Sequence, residues 1–286
     1  MKVISSLFDE IQMNKWESQC VFFDQKQMEF QFKQQLATWL AGKEIQHGRF
    51  FLELDGLDIQ AKALNSILIC GGAEYNLNSK VNAAWLKNEL NLNETYDALL
   101  NRIKGELEGF FAHFTPMIEG YSFEFDLSHY SPDLLLKMAE QIIVMDDSDK
   151  MPEPYDYRKI LVEQWKVLRT KNKQSLLVYF HPENDLSIEQ FNSFRAYLQQ
   201  NEIMVLFITG HPKYLKQFQT GNSHIIKSIG ERFDLELLKN ELLLFEVAED
   251  NEFLDAFCIE LALASFEDEL LSLDQNLKQF VKSDKY

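Results

Sequence analysis

The sequence contains 286 residues with a mass of 33.6 kDa, and 46% of them are hydrophobic. A chain of this size and composition can bury a sizeable core, as one large domain or two smaller ones. It carries 45 acidic residues against 28 Lys and Arg residues, a formal net charge of −17 at pH 7. This charge argues against a protein that coats nucleic acid with its whole surface, but it leaves room for a local basic channel.

The cysteines and the apolar runs bear on the compartment. Cys20, Cys70 and Cys258 stand far apart, without a CxxC motif or a neighbouring histidine at ligand spacing, which is typical of buried thiols in a reducing compartment. The first apolar run is too short for a signal peptide, and no run approaches the roughly 18 apolar residues of a membrane span. We therefore expect a cytoplasmic protein with no membrane partner.

The first part of the chain predicts strands around one helix. Residues 19–23 form an apolar run typical of a strand, and residues 28–40 carry apolar side chains at helical spacing up to Gly42 as a C-cap. Residues 49–54 predict a second strand, which a right-handed crossover would place in the same sheet as the first. Residues 66–70 predict a third strand.

A long helical segment follows. Asn93 caps a stretch in which large apolar residues repeat along one face up to residue 114, and a partner helix is expected to begin near Ser79. Ser131, followed by proline, predicts the start of a further helix. Residues 77–151 therefore predict an all-helical insertion, which ends at the acidic, proline-containing stretch that begins at Asp146.

The second half contains the clearest pattern in the chain. Residues 175–180 and 204–209 are continuous apolar runs, and between them Ser187 caps an amphipathic helix. This βαβ pattern predicts two buried parallel strands that need a layer on each face. Residues 155–170 predict a helix before this unit, and residues 241–247 predict a last strand after it.

These elements together predict an α/β fold with four regions. We expect an α/β head formed by residues 1–76 and 152–248, an α-helical leg formed by residues 77–151, and a helical extension formed by residues 249–286. The extension is acidic, and its apolar stripe must pack against another element.

Signatures of catalysis are thin. Gly42 and Gly48 are spaced wrongly for a phosphate-binding loop and lack its Lys and hydroxyl, and Pro212 stands where a helix-starting NH would hold phosphate. There is no GxSxG, HExxH or GxGxxG motif, and the six histidines are scattered. We therefore expect neither a nucleotide cofactor nor catalytic residues.

Basic residues cluster near the predicted helix of residues 155–170. Four of them fall within an arc of roughly 100° on that helix, and two more continue into the turn before the next strand. Such a stripe suits phosphate contacts, but a solvated face with cations near a helix C-terminus explains it equally well. The six residues are Arg158, Lys159, Lys166, Arg169, Lys171 and Lys173.

The order of these elements resembles a known family, the ring-forming spacer-adaptation protein of type II-A CRISPR systems in its longer form. The similarity covers roughly residues 1–215 and depends on pattern and order rather than on an invariant motif. The segments that carry it are SLFDE (6–10), ICGG (69–72), YNLN (75–78), FEFD (123–126), WKVLRTKNKQSLLVYF (165–180) and VLFI (205–208).

The resemblance implies a P-loop-NTPase-like head without a working Walker loop, an inserted α-helical leg and a homotetrameric ring. It implies a non-nuclease accessory protein of spacer acquisition in antiviral defence, which works with other adaptation proteins and the effector nuclease. Members of the family bind double-stranded DNA ends in a lysine-lined hole. The resemblance therefore implies that the DNA contacts of this chain are Lys166, Arg169, Lys171, Lys173, Arg158 and Lys62. Members of the family also hold calcium ions. The resemblance implies Glu124 and Asp126 as calcium ligands in this chain, with Glu119 nearby as a weaker candidate.

Two other classes of function stay open from the sequence. One is a nucleotide-dependent enzyme on the same degenerate sheet, which measurable ATP binding or turnover would favour. The other is a protein-binding scaffold whose acidic tail helix is the working surface, which an absence of duplex binding at low salt would favour.

Overall fold

The computed structural model describes residues 1–72, 84–89, 94–113, 117–118, 121–122, 153–228, 231–244 and 251–264. The chain divides into two compact units. The first unit combines Met1–Ala73 with Thr170–Tyr286, and the second is Glu74–Arg169. The predicted mixed α/β character is confirmed. Among the described residues, no helix combines the length and the apolar character needed to cross a membrane.

Short strands and helices of moderate length alternate along the described part of the chain. The strands are β1 (Lys2–Ser5), β2 (Phe8–Gln12), β3 (Gln19–Phe23), β4 (Phe50–Leu54), β5 (Leu57–Ile59), β6 (Asn65–Cys70), β7 (Met117–Ile118), β8 (Tyr121–Ser122), β9 (Ser175–Phe180), β10 (Met204–Ile208), β11 (Ser223–Ser228) and β12 (Glu231–Phe233). The helices are α1 (Lys26–Leu40), α2 (Glu94–Ala112), α3 (Pro154–Leu168), α4 (Ile188–Gln200), α5 (Pro212–Leu215), α6 (Leu235–Leu244) and α7 (Asn251–Ala264).

The first unit is built on a six-stranded sheet in the order β12-β11-β3-β10-β9-β6. The five strands from β11 to β6 are parallel, and β12 adds an antiparallel edge. Every residue of β9 and β10 is buried, as continuous apolar runs require. Ser187 and Gln190 form a reciprocal capping box at the start of α4. The predicted βαβ unit is confirmed.

The predicted position of residues 49–54 is wrong. These residues form β4, but β4 pairs antiparallel with β1 and β5 in a separate four-stranded sheet of order β2-β1-β4-β5. Phe50 and Leu52 are buried while Phe51 and Glu53 are only partly covered. This alternation is typical of an antiparallel sheet with one covered face, whereas the central strands β9 and β10 of the parallel sheet are buried on both faces.

The predicted strand at residues 241–247 is also wrong where the structure describes it. Residues up to 244 belong to α6, whose buried side chains, Leu235, Leu238 and Leu242, recur at helical spacing. Leu243 and Leu244 are exposed, so the apolar run that suggested a strand is the end of an amphipathic helix. Residues 245–247 lie outside the described residues.

The two sheets of the first unit share one hydrophobic core through α1. The ring of Phe32 on α1 is fully buried. It meets Phe8 and Phe50 of the four-stranded sheet, at centroid distances of 5.6 and 5.7 Å. It also meets Phe23 and Phe180 of the six-stranded sheet, at 5.5 and 6.1 Å. Helix α1 therefore covers one face of the parallel sheet, and the four-stranded sheet packs against the same helix.

Helix α7 begins the predicted C-terminal extension. Leu254, Cys258 and Ala262 are buried, so the apolar face of the described part of the extension packs against other residues of the same chain. Lys239 on α6 pairs with Asp255 on α7 at 2.8 Å. The rest of the extension, residues 265–286, lies outside the described residues.

The cysteine side chains follow the expectation of buried thiols in two positions of three. Cys20 and Cys258 are buried, and Cys70 is half-buried. Burial raises the pKa of the Cys20 thiol, and burial together with the neighbouring Asp255 carboxylate raises the pKa of Cys258 to about 12. Neither thiol is therefore a reactive thiolate at neutral pH.

The second unit contains α2, α3, the β7–β8 hairpin and a helical stretch at residues 84–89. The predicted helix after Asn93 is thus confirmed as α2. Its apolar side chains Leu99, Ile103 and Phe110 are exposed in the single chain. The helix predicted from Ser131 and the acidic stretch from Asp146 lie outside the described residues.

A buried polar network joins β3 and β11. His224 Nε2 donates to Gln19 Oε1 at 2.8 Å, and Nδ1 lies 3.4 Å from Arg232 Nη1, an arrangement that suits a neutral imidazole. Gln19 in turn donates to Asn222 Oδ1 at 2.8 Å. Burial, and then the charge of Arg232, lower the pKa of His224 from 6.5 to about 3.

This pKa predicts how stability depends on pH. The unfolded chain binds a proton at His224 below its ordinary pKa of 6.5, whereas the folded chain resists protonation down to about 3. The contribution of His224 to the free energy of unfolding is therefore fully present above pH 6.5. It is lost as pH falls below this value, by about 1.4 kcal/mol per pH unit. Urea unfolding measures this effect. Between neutral pH and about pH 5, the free energy of unfolding of His224→Gln should fall by roughly 2 kcal/mol less than that of the wild type.

The control is His47→Gln, which replaces an exposed histidine. We expect this variant to keep the pH dependence of the wild type, because its side chain does not leave water on folding. Equal loss of stability in the wild type and in His224→Gln would show that this network does not produce the dependence.

Candidate nucleic-acid interface

Three exposed lysines meet at the amino end of the parallel sheet. Lys62 lies in a short turn before β6, and Lys171 and Lys173 lie in the turn before β9. Strands β6 and β9 are parallel neighbours, so the turns that precede them are adjacent. The ammonium group of Lys173 donates to the backbone carbonyl of Lys62 at 2.7 Å. The structure thus brings together three of the predicted DNA contacts, of which Lys62 is distant in sequence from Lys171 and Lys173.

Asn65 holds this basic turn in place. Its side-chain amide donates to the carbonyls of Thr170 and Lys173 at 3.0 and 3.2 Å. Its Oδ1 accepts from the backbone NH of Thr170 at 3.0 Å. Asn172 adopts a left-handed backbone conformation with φ of 72°, as a tight turn requires. The positions of the lysines are therefore fixed by an uncharged side chain that is itself buried.

The predicted basic stripe on α3 is not a uniform row of exposed cations. Arg158 is only 6% exposed. Lys166 pairs with Glu163 one turn earlier, at 2.9 Å, and the guanidinium of Arg169 lies over the ring of Trp165 at 5.5 Å. Lys159 is exposed. A DNA role for these α3 residues stays a prediction.

The predicted calcium positions cannot be placed. Glu119, Glu124 and Asp126 all lie outside the described residues. Elsewhere, within the described ranges, no three His, Cys, Asp or Glu side chains are arranged to hold a metal ion.

The connection from β3 to α1 is too short for a phosphate-binding loop. Strand β3 ends at Phe23 and α1 begins at Lys26, so only Asp24 and Gln25 lie between them. In open parallel sheets, ligands bind beyond the carboxyl ends of the strands, and a phosphate loop would lie at such a connection. This connection contains no glycine.

Carboxylates occupy this carboxyl end of the sheet instead. His181, directly after β9, lies 2.6 Å from Glu29 Oε1 through Nε2 and 3.2 Å from Glu183 Oε1 through Nδ1. Glu183 also accepts from the Thr209 hydroxyl at 2.9 Å and from the Gly210 NH at 2.7 Å. Such a network resists the approach of a phosphate group, since its oxygens are acceptors.

A second carboxylate completes this carboxyl end. Asp185 accepts from the Tyr179 hydroxyl at 2.6 Å and from the Gly72 NH at 2.7 Å. Sequence reasoning missed these contacts, although one signal was present, since polar residues follow both buried strands of the βαβ unit.

Comparisons with known proteins give a match among solved structures. No model of a protein family matches the sequence, and no curated protein matches it. Among solved structures, the chain is similar to Stu0660 of Streptococcus thermophilus, with a TM-score of 0.66 and 14% identity over 99% of this chain and 94% of that chain. At this identity the similarity shows the fold. Stu0660 is a type II-A CRISPR protein of the family that the sequence resembles, so the resemblance is confirmed at the level of fold.

A second solved structure aligns less well. A bacterial Atm1-family ABC exporter with ATP bound gives a TM-score of 0.41 and 11% identity, over 87% of this chain and 42% of that chain. A score of this size does not establish a shared fold.

The role of Asn65 predicts a measurable defect. Asn65→Ala removes three hydrogen bonds and leaves the NH of Thr170 without its acceptor, which should lower the free energy of unfolding by about 1 to 3 kcal/mol. Asn65→Asp keeps that acceptor but points a carboxylate at two carbonyls. Hydrogen exchange should therefore show a faster Thr170 amide in the Ala variant than in the Asp variant. Unchanged exchange in both would show that Asn65 does not hold the turn.

Proposed function

We propose that this protein is a non-catalytic, ring-forming protein of CRISPR spacer acquisition that binds the ends of double-stranded DNA. The observation that carries the proposal is the similarity of fold to Stu0660 along nearly the whole of both chains. That similarity supports a CRISPR-related role. The partners that follow are duplex DNA, other copies of this chain, other adaptation proteins and the effector nuclease.

The basic turn supplies the chemistry for a duplex. Three exposed ammonium groups, of Lys62, Lys171 and Lys173, lie at one edge of a chain whose net charge is −17. Ammonium groups contact phosphates and release counterions, which gives affinity without reading the bases. The turn is held by hydrogen bonds of Asn65, so little flexibility is lost when phosphates bind.

The carboxyl end of the sheet supports the absence of nucleotide chemistry in this proposal. We infer that the head is a P-loop-like sheet in which the phosphate loop has been replaced by a two-residue connection. Glu29, Glu183 and Asp185 line the edge where a nucleotide would bind, and their charge would repel its phosphates. The enzyme alternative is therefore disfavoured on local geometry.

Exposed apolar side chains on α2 support assembly into a ring. Leu99, Ile103 and Phe110 lie on one helix, and Phe110 is 65% exposed. Apolar patches of this kind mark contacts with other protein chains. The scaffold alternative gains less support, because the described part of the tail helix buries Leu254 and Cys258 within its own chain.

The DNA proposal is tested by removing charge from the basic turn. Lys171→Gln with Lys173→Gln should weaken duplex binding, and the slope of log affinity against log salt should become shallower by about 0.9 for each phosphate that the variant no longer neutralises. Binding should stay indifferent to base composition in both proteins. Fluorescence anisotropy with a labelled linear duplex, over a series of salt concentrations, measures both quantities.

The matched control removes the same charge elsewhere in the first unit. Lys26→Gln with Lys43→Gln changes two exposed lysines that lie outside the basic turn. This variant should keep nearly the wild-type affinity and slope. If the two double variants behave alike, the basic turn is a solvated surface and the duplex binds elsewhere.

Calcium belongs to this proposal as a stabiliser of the ring. The donor set is chemically suitable, because Glu119, Glu124 and Asp126 offer hard carboxylate oxygens, which calcium accepts in a loose geometry. Chelator should loosen the tetramer, and Glu124→Gln with Asp126→Asn should have the same effect in the presence of calcium. Multi-angle light scattering measures the mass. A double variant that stays a calcium-responsive tetramer would place the site elsewhere.

A further inference from the structure

A polar cavity of about 250 Å³ lies at the amino ends of β3 and β11, beside α4. Ser18 directly precedes β3, Asn222 directly precedes β11, and Arg195 comes from α4. All of these elements belong to the first unit. A second cavity of about 550 Å³ adjoins it and shares Glu17, Gln219 and Asn222 with it. The walls are mainly polar, so the cavity does not suit an apolar ligand.

Arg195 is the unusual group in this cavity. Its guanidinium lies over the ring of Phe218 at 4.7 Å and donates to the backbone carbonyl of Gln217. Within the part of the chain that the structure describes, it forms no ion pair with a carboxylate. Burial lowers the pKa of Arg195, which is the effect of removing a cation from water without an opposite charge.

A partly buried cation without an opposite charge is costly, and five NH donors are more than one carbonyl can satisfy. Ser18 adds a second unsatisfied group to the same wall. It is 3% exposed, and its hydroxyl has no hydrogen-bond partner in the described chain. A guanidinium and a hydroxyl in one cavity are the donors that bind an oxyanion.

Several other polar groups around the cavity are already engaged in hydrogen bonds. Gln217 Oε1 accepts from Asn192 at 2.9 Å, and Gln199 donates to the carbonyl of Trp16 at 3.0 Å. Glu17 lies at the same wall and accepts from Asn14 at 2.9 Å. Arg195 is therefore the principal group in this cavity that attracts an anion. The carboxylate of Glu17 repels anions, and this repulsion grows with the negative charge of the ligand.

We propose that this cavity is an oxyanion site in which Arg195 binds a phosphate group, with Ser18 as a secondary donor. The phosphate has two possible sources, a small free molecule or the terminal phosphate of a duplex. The second source is geometrically reasonable, because the cavity and the basic turn lie at the same, amino, edge of the parallel sheet. Binding of free phosphate does not depend on the DNA proposal.

Isothermal titration calorimetry with inorganic phosphate, at constant ionic strength with chloride, tests the site. The wild type should bind phosphate saturably. Arg195→Gln should weaken binding at least about tenfold, as expected for loss of a charge-assisted hydrogen bond. Arg195→Lys should keep a part of the affinity, since it keeps the charge but loses the planar fork. The control is Arg49→Gln, which removes an exposed arginine stacked on Phe51 and should bind like the wild type.

Two further arms separate the sources of the phosphate. Duplexes with 5′-phosphate and with 5′-hydroxyl ends are compared in the wild type and in Arg195→Gln. A preference for phosphorylated ends that disappears in the variant identifies the duplex end as the source, whereas equal binding of both duplexes assigns the cavity to a free phosphate. Circular dichroism checks that each variant is folded, and Arg195→Lys with Ser18→Ala tests the site if Arg195→Gln is not. Absence of saturable phosphate binding, or equal binding by Arg195→Gln and Arg49→Gln, would overturn the proposal.

Discussion

The packing of Phe32 against rings from both sheets is the interaction on which the rest of the first unit depends. Removal of a buried phenylalanine of this kind costs about 3 to 5 kcal/mol, a large share of the roughly 5 to 15 kcal/mol by which a domain is stable. Because Phe32 meets Phe8 and Phe50 on one side and Phe23 and Phe180 on the other, α1 fixes the four-stranded sheet over one face of the parallel sheet. Helix α4 packs on the parallel sheet as well, where the ring centroids of Phe191 and Phe207 lie 4.9 Å apart. The faces of this sheet are therefore used for packing, and its two ends are available for function.

The two ends of the parallel sheet differ in charge. At the amino end lie Lys62, Lys173 and Arg195, on the turns before β6 and β9 and beside β3. At the carboxyl end lie Glu29 and Glu183, held by hydrogen bonds of their neighbours. Parallel strands place all preceding turns on one edge and all following turns on the other, so the lysines before β6 and β9 and the carboxylates after β3 and β9 lie at opposite edges. An acidic chain can therefore present one edge that attracts phosphate while its overall charge repels it.

Local patterns determined what could be predicted from the sequence. The βαβ unit was predictable because Ser187 and the apolar runs beside α4 report local structure. Strand β11 was missed since its pattern begins and ends with polar residues, although His224 and Ile225 are buried. The approach of Lys62 to Lys173 was not predictable, because it depends on the pairing of β6 with β9 across the inserted segment. Residues far apart in sequence meet only through such topology.

The choice of an amide at residue 65 explains why the basic turn keeps its charge. A carboxylate at this position would accept the NH of Thr170, but it would oppose the two carbonyls that Asn65 now satisfies and would neutralise a neighbouring lysine. Some cations elsewhere in the chain are paired, as Lys166 is with Glu163 and Lys239 is with Asp255. Asn65 therefore fixes the conformation of the turn without adding a negative charge to it. The positive potential of the lysines remains available to an anionic partner.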